Sequence, residues 1–161
     1  MADVLCAYCG KPISEDELAT DGETVLEFTP DSEAGPERSE FYHATCHQRQ
    51  VLQARIRAPL EFGMGWTGLV TRLVDAIDAV GLPYEVEQVK EKFGGLRFYW
   101  HERWPDEGGV PPDDDSARHD RIEALIDAAE EESMRTCELC GCPGTRQGGG
   151  WIVVRCDAHM S

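Results

Sequence analysis

The chain has 161 residues, of which 41% are hydrophobic, and its 31 acidic side chains outweigh 15 basic ones to give a formal net charge of −16. This length suits one compact unit or two small ones. The composition disfavours a membrane-spanning protein, because no apolar run reaches the roughly 20 residues that a helix needs to cross a bilayer. It also disfavours general binding of nucleic acid, which carries charge of the same sign.

The acidic residues are unevenly distributed. Residues 1–50 carry eleven acidic and three basic side chains, a balance of −8, and residues 102–132 carry twelve and three, a balance of −9. Residues 51–101 carry six of each and balance at zero, whereas residues 133–161 carry two acidic and three basic ones, a balance of +1. A basic protein surface would be attracted by the two acidic blocks. Solubility alone is the alternative explanation of their charge.

Two groups of cysteine and histidine residues stand near the ends of the chain. In the first, Cys6-Ala-Tyr-Cys9 is followed after 33 residues by His43-Ala-Thr-Cys46. In the second, Cys137-Glu-Leu-Cys140 is followed after 15 residues by Cys156-Asp-Ala-His159. Three cysteines and one histidine are the ligand set of a closed structural zinc site. The sequence therefore predicts two zinc ions, bound by Cys6, Cys9, His43, Cys46, Cys137, Cys140, Cys156 and His159.

The seventh cysteine, Cys142, is predicted to be a spare thiol. An odd number of cysteines cannot pair completely as disulfides, and in a reducing compartment cysteines are expected to bind metal instead. The residues before Cys6 do not have the charged and then apolar pattern of a secretory signal peptide. A cytoplasmic location is therefore expected.

The first third of the chain is predicted to be a zinc-binding unit. Residues 4–12 are expected to form a strand that leads into the Cys-x-x-Cys turn, and 23–28 and 40–43 two further strands. Residues 47–57 are helix-forming sequence that ends before Pro59. This order of turn, hairpin and helix resembles the treble-clef class of zinc folds. The resemblance implies that the last two ligands lie at the start of the helix, and it implies no particular activity.

The clearest helical pattern lies in the middle of the chain. Apolar residues recur at helical spacing from Trp66 to Val80, and Gly81 is expected to end this helix. The preceding residues 60–65 are predicted to be a flexible bridge. An acidic loop over 101–115 is expected to lead into a second helix that begins near Ser116.

A hairpin is predicted between these helices. Its strands are 84–90 and 96–100, its turn lies at Phe93-Gly94-Gly95, and its first strand is expected to contain a bulge. Basic and aromatic residues gather here in an otherwise acidic chain. They form a candidate partner-binding surface, since cations bind phosphate and aromatic rings stack on bases. Its residues are Lys90, Lys92, Arg97 and Tyr99, and a nucleic-acid contact could extend to Trp100, Arg55 and Arg57.

The last segment is predicted to be a zinc ribbon. The Cys137 turn is followed by a glycine-rich tip at Gly148–Gly150 and by a returning strand over 151–155. A segment this short cannot build its own hydrophobic core, so a metal ion is expected to replace one.

Several stretches of the second half resemble a group of small, largely uncharacterised proteins of bacteriophages and prophage-bearing bacteria. They are Gln88-Val-Lys-Glu-Lys-Phe-Gly-Gly-Leu-Arg-Phe-Tyr99, Thr136-Cys-Glu-Leu-Cys-Gly141, Gly150-Trp151, and the pair Cys156 and His159. The resemblance implies a zinc ribbon packed against a helix and a hairpin, and it implies no established activity. For a phage-encoded protein, the expected location is the host cytoplasm.

The predicted fold is therefore α+β and built from small zinc-stabilised modules. A treble-clef-like module spans 1–58, a helix–hairpin–helix core with an acidic loop spans 59–136, and a zinc ribbon spans 137–161.

The predicted function is that of a non-enzymatic interaction protein whose acidic surface binds, and modulates or inhibits, a basic protein partner such as a nucleic-acid enzyme. Nucleic-acid binding by the central hairpin is the alternative. An enzyme is the third hypothesis, with His47 as a general base. It is disfavoured because a catalytic zinc usually keeps one open position, whereas both ligand sets have four protein ligands.

Overall fold

Helices and strands are mixed along the computed structural model, which confirms the predicted α+β class. Contacts divide the chain into a unit of residues 1–51 and a unit of residues 52–161. The structure describes residues 4–19, 24–29, 38–103 and 115–160. Most of the predicted acidic loop falls on 104–114 and thus lies outside the described residues.

The first unit contains a two-stranded antiparallel sheet. Its strands are β1 (Thr24–Thr29) and β2 (Arg38–His43), with Thr24 opposite His43. Helix α2 (Ala44–Ile56) follows β2 directly, and the division between the two units falls within it. Residues 4–12 were expected to include a strand, and this prediction is wrong. They form a turn closed by an isolated bridge between Leu5 and Pro12.

A short helix, α1 (Glu15–Ala19), follows this turn. Ser14 and Glu17 cap its start reciprocally. The Glu17 backbone N–H donates to Ser14 Oγ over 3.2 Å, and Glu17 Oε2 accepts from the Ser14 backbone N–H over 2.8 Å. This capping box satisfies backbone donors that a helix leaves unpaired at its first turn.

The second unit is built on a three-stranded sheet. The middle strand pairs in parallel with a two-residue strand and antiparallel with the next strand, and its register shifts between Val86 and Gln88, where a bulge was predicted. The elements in chain order are β3 (Leu60–Glu61), a 3₁₀ turn (Met64–Trp66), α3 (Thr67–Val80), β4 (Tyr84–Lys92), β5 (Gly95–Glu102), α4 (Asp115–Ser133), β6 (Thr145–Gln147), β7 (Val153–Arg155) and a second 3₁₀ turn (Asp157–His159).

Helix α3 buries its apolar stripe against α4, and α4 packs on β5. The helix ends at Gly81, as predicted, with a left-handed φ of 75°. Burying an aliphatic side chain of this size stabilises a fold by about 1.5–3 kcal/mol. The buried stripe of α3 consists of Leu69, Val70, Leu73, Val74 and Ile77.

Residues 60–65 are not a flexible bridge, and that prediction is wrong. Leu60 and Glu61 pair with β4, and the following turn leads into Trp66, which is fully buried. The Trp66 indole Nε1 donates to the Thr136 carbonyl over 2.7 Å, and the Gly65 N–H donates to the Glu138 carbonyl over 2.9 Å. The segment is therefore held against the second Cys-x-x-Cys turn.

In the part of the chain that the structure describes, no helix combines the length and the apolar character that crossing a membrane requires.

Candidate metal centres

The first cluster brings together a turn, a strand end and a helix start. Cys6 and Cys9 lie on the first turn, His43 ends β2, and Cys46 lies in the first turn of α2. The Ala7 N–H donates to the Phe41 carbonyl over 2.9 Å and thus ties the Cys-x-x-Cys turn to β2. One potential ligand atom from each of the four residues lies within 4.8 Å of the other three, so the cluster could hold a metal ion.

The second cluster lies within the second unit. Cys137 and Cys140 lie on the turn after α4, Cys156 directly precedes the last 3₁₀ turn, and His159 ends that turn. The Glu138 N–H donates to the Val154 carbonyl over 3.2 Å, which holds the turn against β7. These four residues also place their ligand atoms within 4.8 Å of one another and could hold a second ion.

The two Cys-x-x-Cys turns have the same backbone structure. The Gly10 and Gly141 N–H groups donate to the Cys6 and Cys137 carbonyls over 2.9 and 2.8 Å. Both glycines have a left-handed φ, 69° and 79°, which glycine adopts without steric cost. The Cys6 N–H donates to the Lys11 carbonyl, and the Cys137 N–H donates to the Cys142 carbonyl. Cys142 therefore occupies the position of Lys11 in the first turn.

This correspondence gives Cys142 a backbone role in the turn. Its carbonyl oxygen accepts the Cys137 N–H over 2.8 Å, whereas its side chain is exposed and does not belong to the four-residue group.

Burial acts to raise the pKa of Cys6, but three neighbouring backbone N–H groups outweigh it and lower that pKa to about 6. Cys137 shows the same balance, and its pKa is also lowered to about 6. The lowered pKa favours the thiolate form of the first cysteine of each turn, and the thiolate is the form that binds metal.

The third cysteine of each cluster has a raised pKa instead. Burial and the neighbouring thiols raise the pKa of Cys46 to about 12, and the same causes raise the pKa of Cys156. Several thiolates in so small a volume repel one another. The positive charge of a cation at the centre would offset this repulsion. The coordinated thiols would then be deprotonated.

His43 has a carboxylate on the side of its ring that faces away from the cluster. Its Nδ1 lies 3.5 Å from Cys9 Sγ, whereas its Nε2 lies 3.8 Å from Glu17 Oε1. The second distance exceeds a hydrogen bond, but it places the carboxylate beside Nε2, the nitrogen that carries the proton when Nδ1 binds a metal. A carboxylate in this position favours the tautomer that leaves Nδ1 open for metal and makes the ring a stronger ligand.

We expect Glu17→Gln to weaken metal binding at the first cluster by about tenfold. Glutamine preserves the capping box with Ser14 and removes only the charge beside His43. The measurement is the rate of metal transfer to a chromogenic chelator, with Glu15→Gln as a control in the same helix. Equal transfer rates in wild type and Glu17→Gln would contradict the role of this carboxylate.

The structure places the predicted partner-binding residues in three settings. Lys90 Nζ lies 5.2 Å from the centre of the Tyr99 ring, so these two form a cation–π pair on one face of the hairpin. Arg97 instead pairs with Glu130 of α4 over 3.0 Å, which neutralises its charge. Lys92 lies 5.4 Å from the Phe93 ring centre, at the tip of the hairpin.

His47, the candidate general base, lies against an aromatic ring. Its imidazole meets the Tyr42 ring edge-on, with 5.6 Å between the ring centres.

Sequence reasoning missed the contacts that surround the ligands. Glu17 was detectable in part, because Ser14-x-x-Glu17 is a capping-box motif, but nothing in the sequence indicated its proximity to His43. The approach of Gly65 to the Cys137 turn carries no local signal, because it joins residues about 70 positions apart.

Comparisons of the chain with protein-family models, with curated proteins and with solved structures gave no match.

Proposed function

We propose that both clusters bind zinc in closed structural sites, and that the protein is a non-enzymatic interaction protein with an acidic surface for a basic partner. The observation that carries the zinc proposal is the donor set of three cysteines and one histidine in each cluster. Soft thiolates combined with imidazole in fourfold coordination favour zinc over magnesium or calcium.

The spacing of the donors supports a tetrahedral ion. Zinc bonds of about 2.3 Å to sulfur and 2.0 Å to nitrogen place two sulfur ligands about 3.8 Å apart and sulfur and nitrogen about 3.5 Å apart. In the second cluster, Cys140 Sγ lies 3.6 Å from Cys156 Sγ, and Cys137 Sγ lies 3.6 Å from His159 Nδ1. In the first, Cys46 Sγ lies 3.8 Å from His43 Nδ1.

The order of elements supports the finer assignment of the two modules. A Cys-x-x-Cys turn, the β1–β2 hairpin and then α2, with Cys46 in its first turn, is the arrangement of a treble-clef-like module. At the other end, a second such turn and the β6–β7 hairpin form a ribbon-like segment that a metal ion at the second cluster would close. With four protein ligands at each ion, the zinc sites would stabilise the fold and leave no open position for catalysis.

The acidic surface is best represented by one stripe on α4. Asp120, Glu123, Asp127 and Glu131, here called the acidic stripe, are all exposed and recur at helical spacing over about 16 Å. Glu131 pairs with Arg135, but both side chains are about 70% exposed and such pairs contribute little. A row of carboxylates of this length complements a basic protein surface, and it would act mainly on the rate and selectivity of the encounter.

We expect neutralisation of the acidic stripe to abolish capture of a basic partner. The test compares immobilised wild type with Asp120→Asn/Asp127→Asn in lysate of the native host, at 50 and 500 mM NaCl, and identifies captured proteins by mass spectrometry. The control, Glu15→Gln/Glu85→Gln, removes the same charge elsewhere. The proposal expects a basic protein that is lost at high salt and in the stripe variant but retained by the control. Capture of nucleic acid alone, or equal capture by both variants, would overturn it.

Nucleic-acid binding by the central hairpin is the second candidate function. The cation–π pair of Lys90 and Tyr99 favours it, because it places a positive charge and an aromatic face side by side on the sheet. The pairing of Arg97 with Glu130 removes one of the cations on which the candidate relied.

A further inference from the structure

The tips of two hairpins in the second unit form one continuous surface. Arg146 of β6 donates from Nη2 to the Phe93 carbonyl, at the tip of the β4–β5 hairpin, over 2.9 Å. On the other side of the tip, Gly94 lies so close to Ile152 that an added Cβ would stand 2.7 Å from the Ile152 Cγ2. The loop between β6 and β7 therefore rests directly on the β4–β5 turn.

This surface carries the two most exposed large hydrophobic side chains of the described residues. Phe93 is 64% exposed and Trp151 is 75% exposed. A single exposed apolar residue needs no explanation. Two aromatic rings on adjoining loops are a feature of binding surfaces, where aromatic residues are enriched.

The backbone conformation of Phe93 is a second, independent observation that points to a ligand. Lys92 pairs with Gly95, so Phe93 and Gly94 form a two-residue turn, and their φ angles are 55° and 74°. Such a turn favours asparagine or aspartate followed by glycine, and a bulky residue with positive φ is strained. Because the ring is mostly exposed, burial does not offset this strain. The side chain is therefore better explained by a contact with a ligand than by stability.

Two cations lie at Phe93, and the neighbouring carboxylate of Glu91 is engaged. Lys92 Nζ lies 5.4 Å from the Phe93 ring centre, and the guanidinium of Arg146 lies at the Phe93 carbonyl. Glu91 Oε1 accepts the Gly94 N–H over 2.6 Å, which partly satisfies that carboxylate at the base of the turn. At 0.1 M salt, charges interact over about 10 Å, so these local cations act largely independently of the net charge of the chain.

We propose that Phe93, Trp151, Lys92 and Arg146, here called the tip surface, bind single-stranded nucleic acid. Bases stack on the two rings, and the two cations contact phosphate. Exposed rings favour a single strand over a duplex, because only unpaired bases present their faces. This inference deepens the second candidate function and rests on it, but it moves the binding site from the face of the sheet to the tips.

The test measures fluorescence anisotropy of labelled dT20 and U20 oligonucleotides at 50 mM NaCl. We expect wild type to bind, and both Phe93→Asn and Trp151→Ala to bind at least fivefold more weakly, which is the lower range for loss of one stacked base. Leu18→Ala, which truncates an exposed side chain of α1, should bind like wild type. Phe93→Asn should also unfold at the same or a higher temperature than wild type, because asparagine suits the turn.

Each other outcome overturns the tip surface in a distinguishable way. Absence of oligonucleotide binding by wild type would remove the second candidate as well. Binding that is unchanged in Phe93→Asn and Trp151→Ala but lost in Lys90→Gln/Tyr99→Ala would return the site to the sheet face and leave that candidate standing. Capture of a protein by wild type but not by Phe93→Asn, without oligonucleotide binding, would make the tips a protein-docking surface.

Discussion

Cys137→Ala is expected to release one of two metal equivalents and to destabilise the second unit by more than about 4 kcal/mol. The Cys137 thiol is fully buried, and its backbone N–H and C=O close the turn through Cys142 and Gly141. Structural zinc contributes about 10–16 kcal/mol of apparent binding free energy in small domains, which is comparable with the whole stability of a typical domain. Under the zinc proposal, removing one ligand therefore removes a large part of the free energy that stabilises this segment.

Metal content per chain and thermal unfolding measure this effect. Cys142→Ala is the matched control, because it alters an exposed thiol on the same turn while the carbonyl that accepts the Cys137 N–H remains. It should retain two equivalents and unfold like wild type. Cys6→Ala should also lose one equivalent, from the first cluster. Two equivalents in Cys137→Ala, or one in Cys142→Ala, would contradict the ligand assignment.

The eight candidate ligands could be predicted because their signal is local. Two residues separated by two others on a tight turn point at one centre wherever the turn lies in the fold. The same holds for α3 and for the β4–β5 hairpin, since helical periodicity and turn residues act over a few positions. The predicted helix from Trp66 to Val80 differs from α3 only at its first residue, where a 3₁₀ turn ends.

Features that depend on distant contacts could not be predicted. Leu60 and Glu61 have no strand pattern of their own, and they become a strand only because Val89 and Lys90 lie beside them. The proximity of Glu17 to His43 likewise requires the completed fold. For the same reason the sequence could not show that Arg97, placed in the candidate partner-binding surface, is neutralised by Glu130 on another element.

The tip surface shows a different limit of prediction from the sequence, namely that the exposure of a side chain depends on packing. Phe93 was recognised as part of a turn, but its exposure depends on how the β6–β7 loop packs beside it. Trp151 was predicted to lie in a returning strand, whereas β7 begins at Val153 and leaves the indole exposed in the loop. Sequence patterns identify aromatic residues well, but which of them remain uncovered is decided by packing.

Gly65→Ala is expected to weaken the second metal site without altering any ligand. A Cβ added to Gly65 would lie 2.3 Å from the Cys137 carbonyl oxygen and 2.4 Å from the Gly141 nitrogen. Both are backbone atoms of the Cys-x-x-Cys turn, so they cannot move aside as a flexible side chain would. We expect a cost of about 3 kcal/mol, at the upper end of overpacking effects, and a fall of roughly 10–20 °C in the thermal midpoint.

The matched control is Gly149→Ala, at a position where an added Cβ meets no atom within 4 Å. That variant should unfold within about 2 °C of wild type, as expected for an exposed surface change. In a chelator competition, Gly65→Ala should release one metal equivalent faster than wild type and the other at an unchanged rate. Equal stability and release in Gly65→Ala would mean that the turn does not rest on residues 63–65. The C-terminal segment would then depend on its metal alone, whereas a loss as large as predicted would make the close contact of Gly65 with the turn part of the metal site.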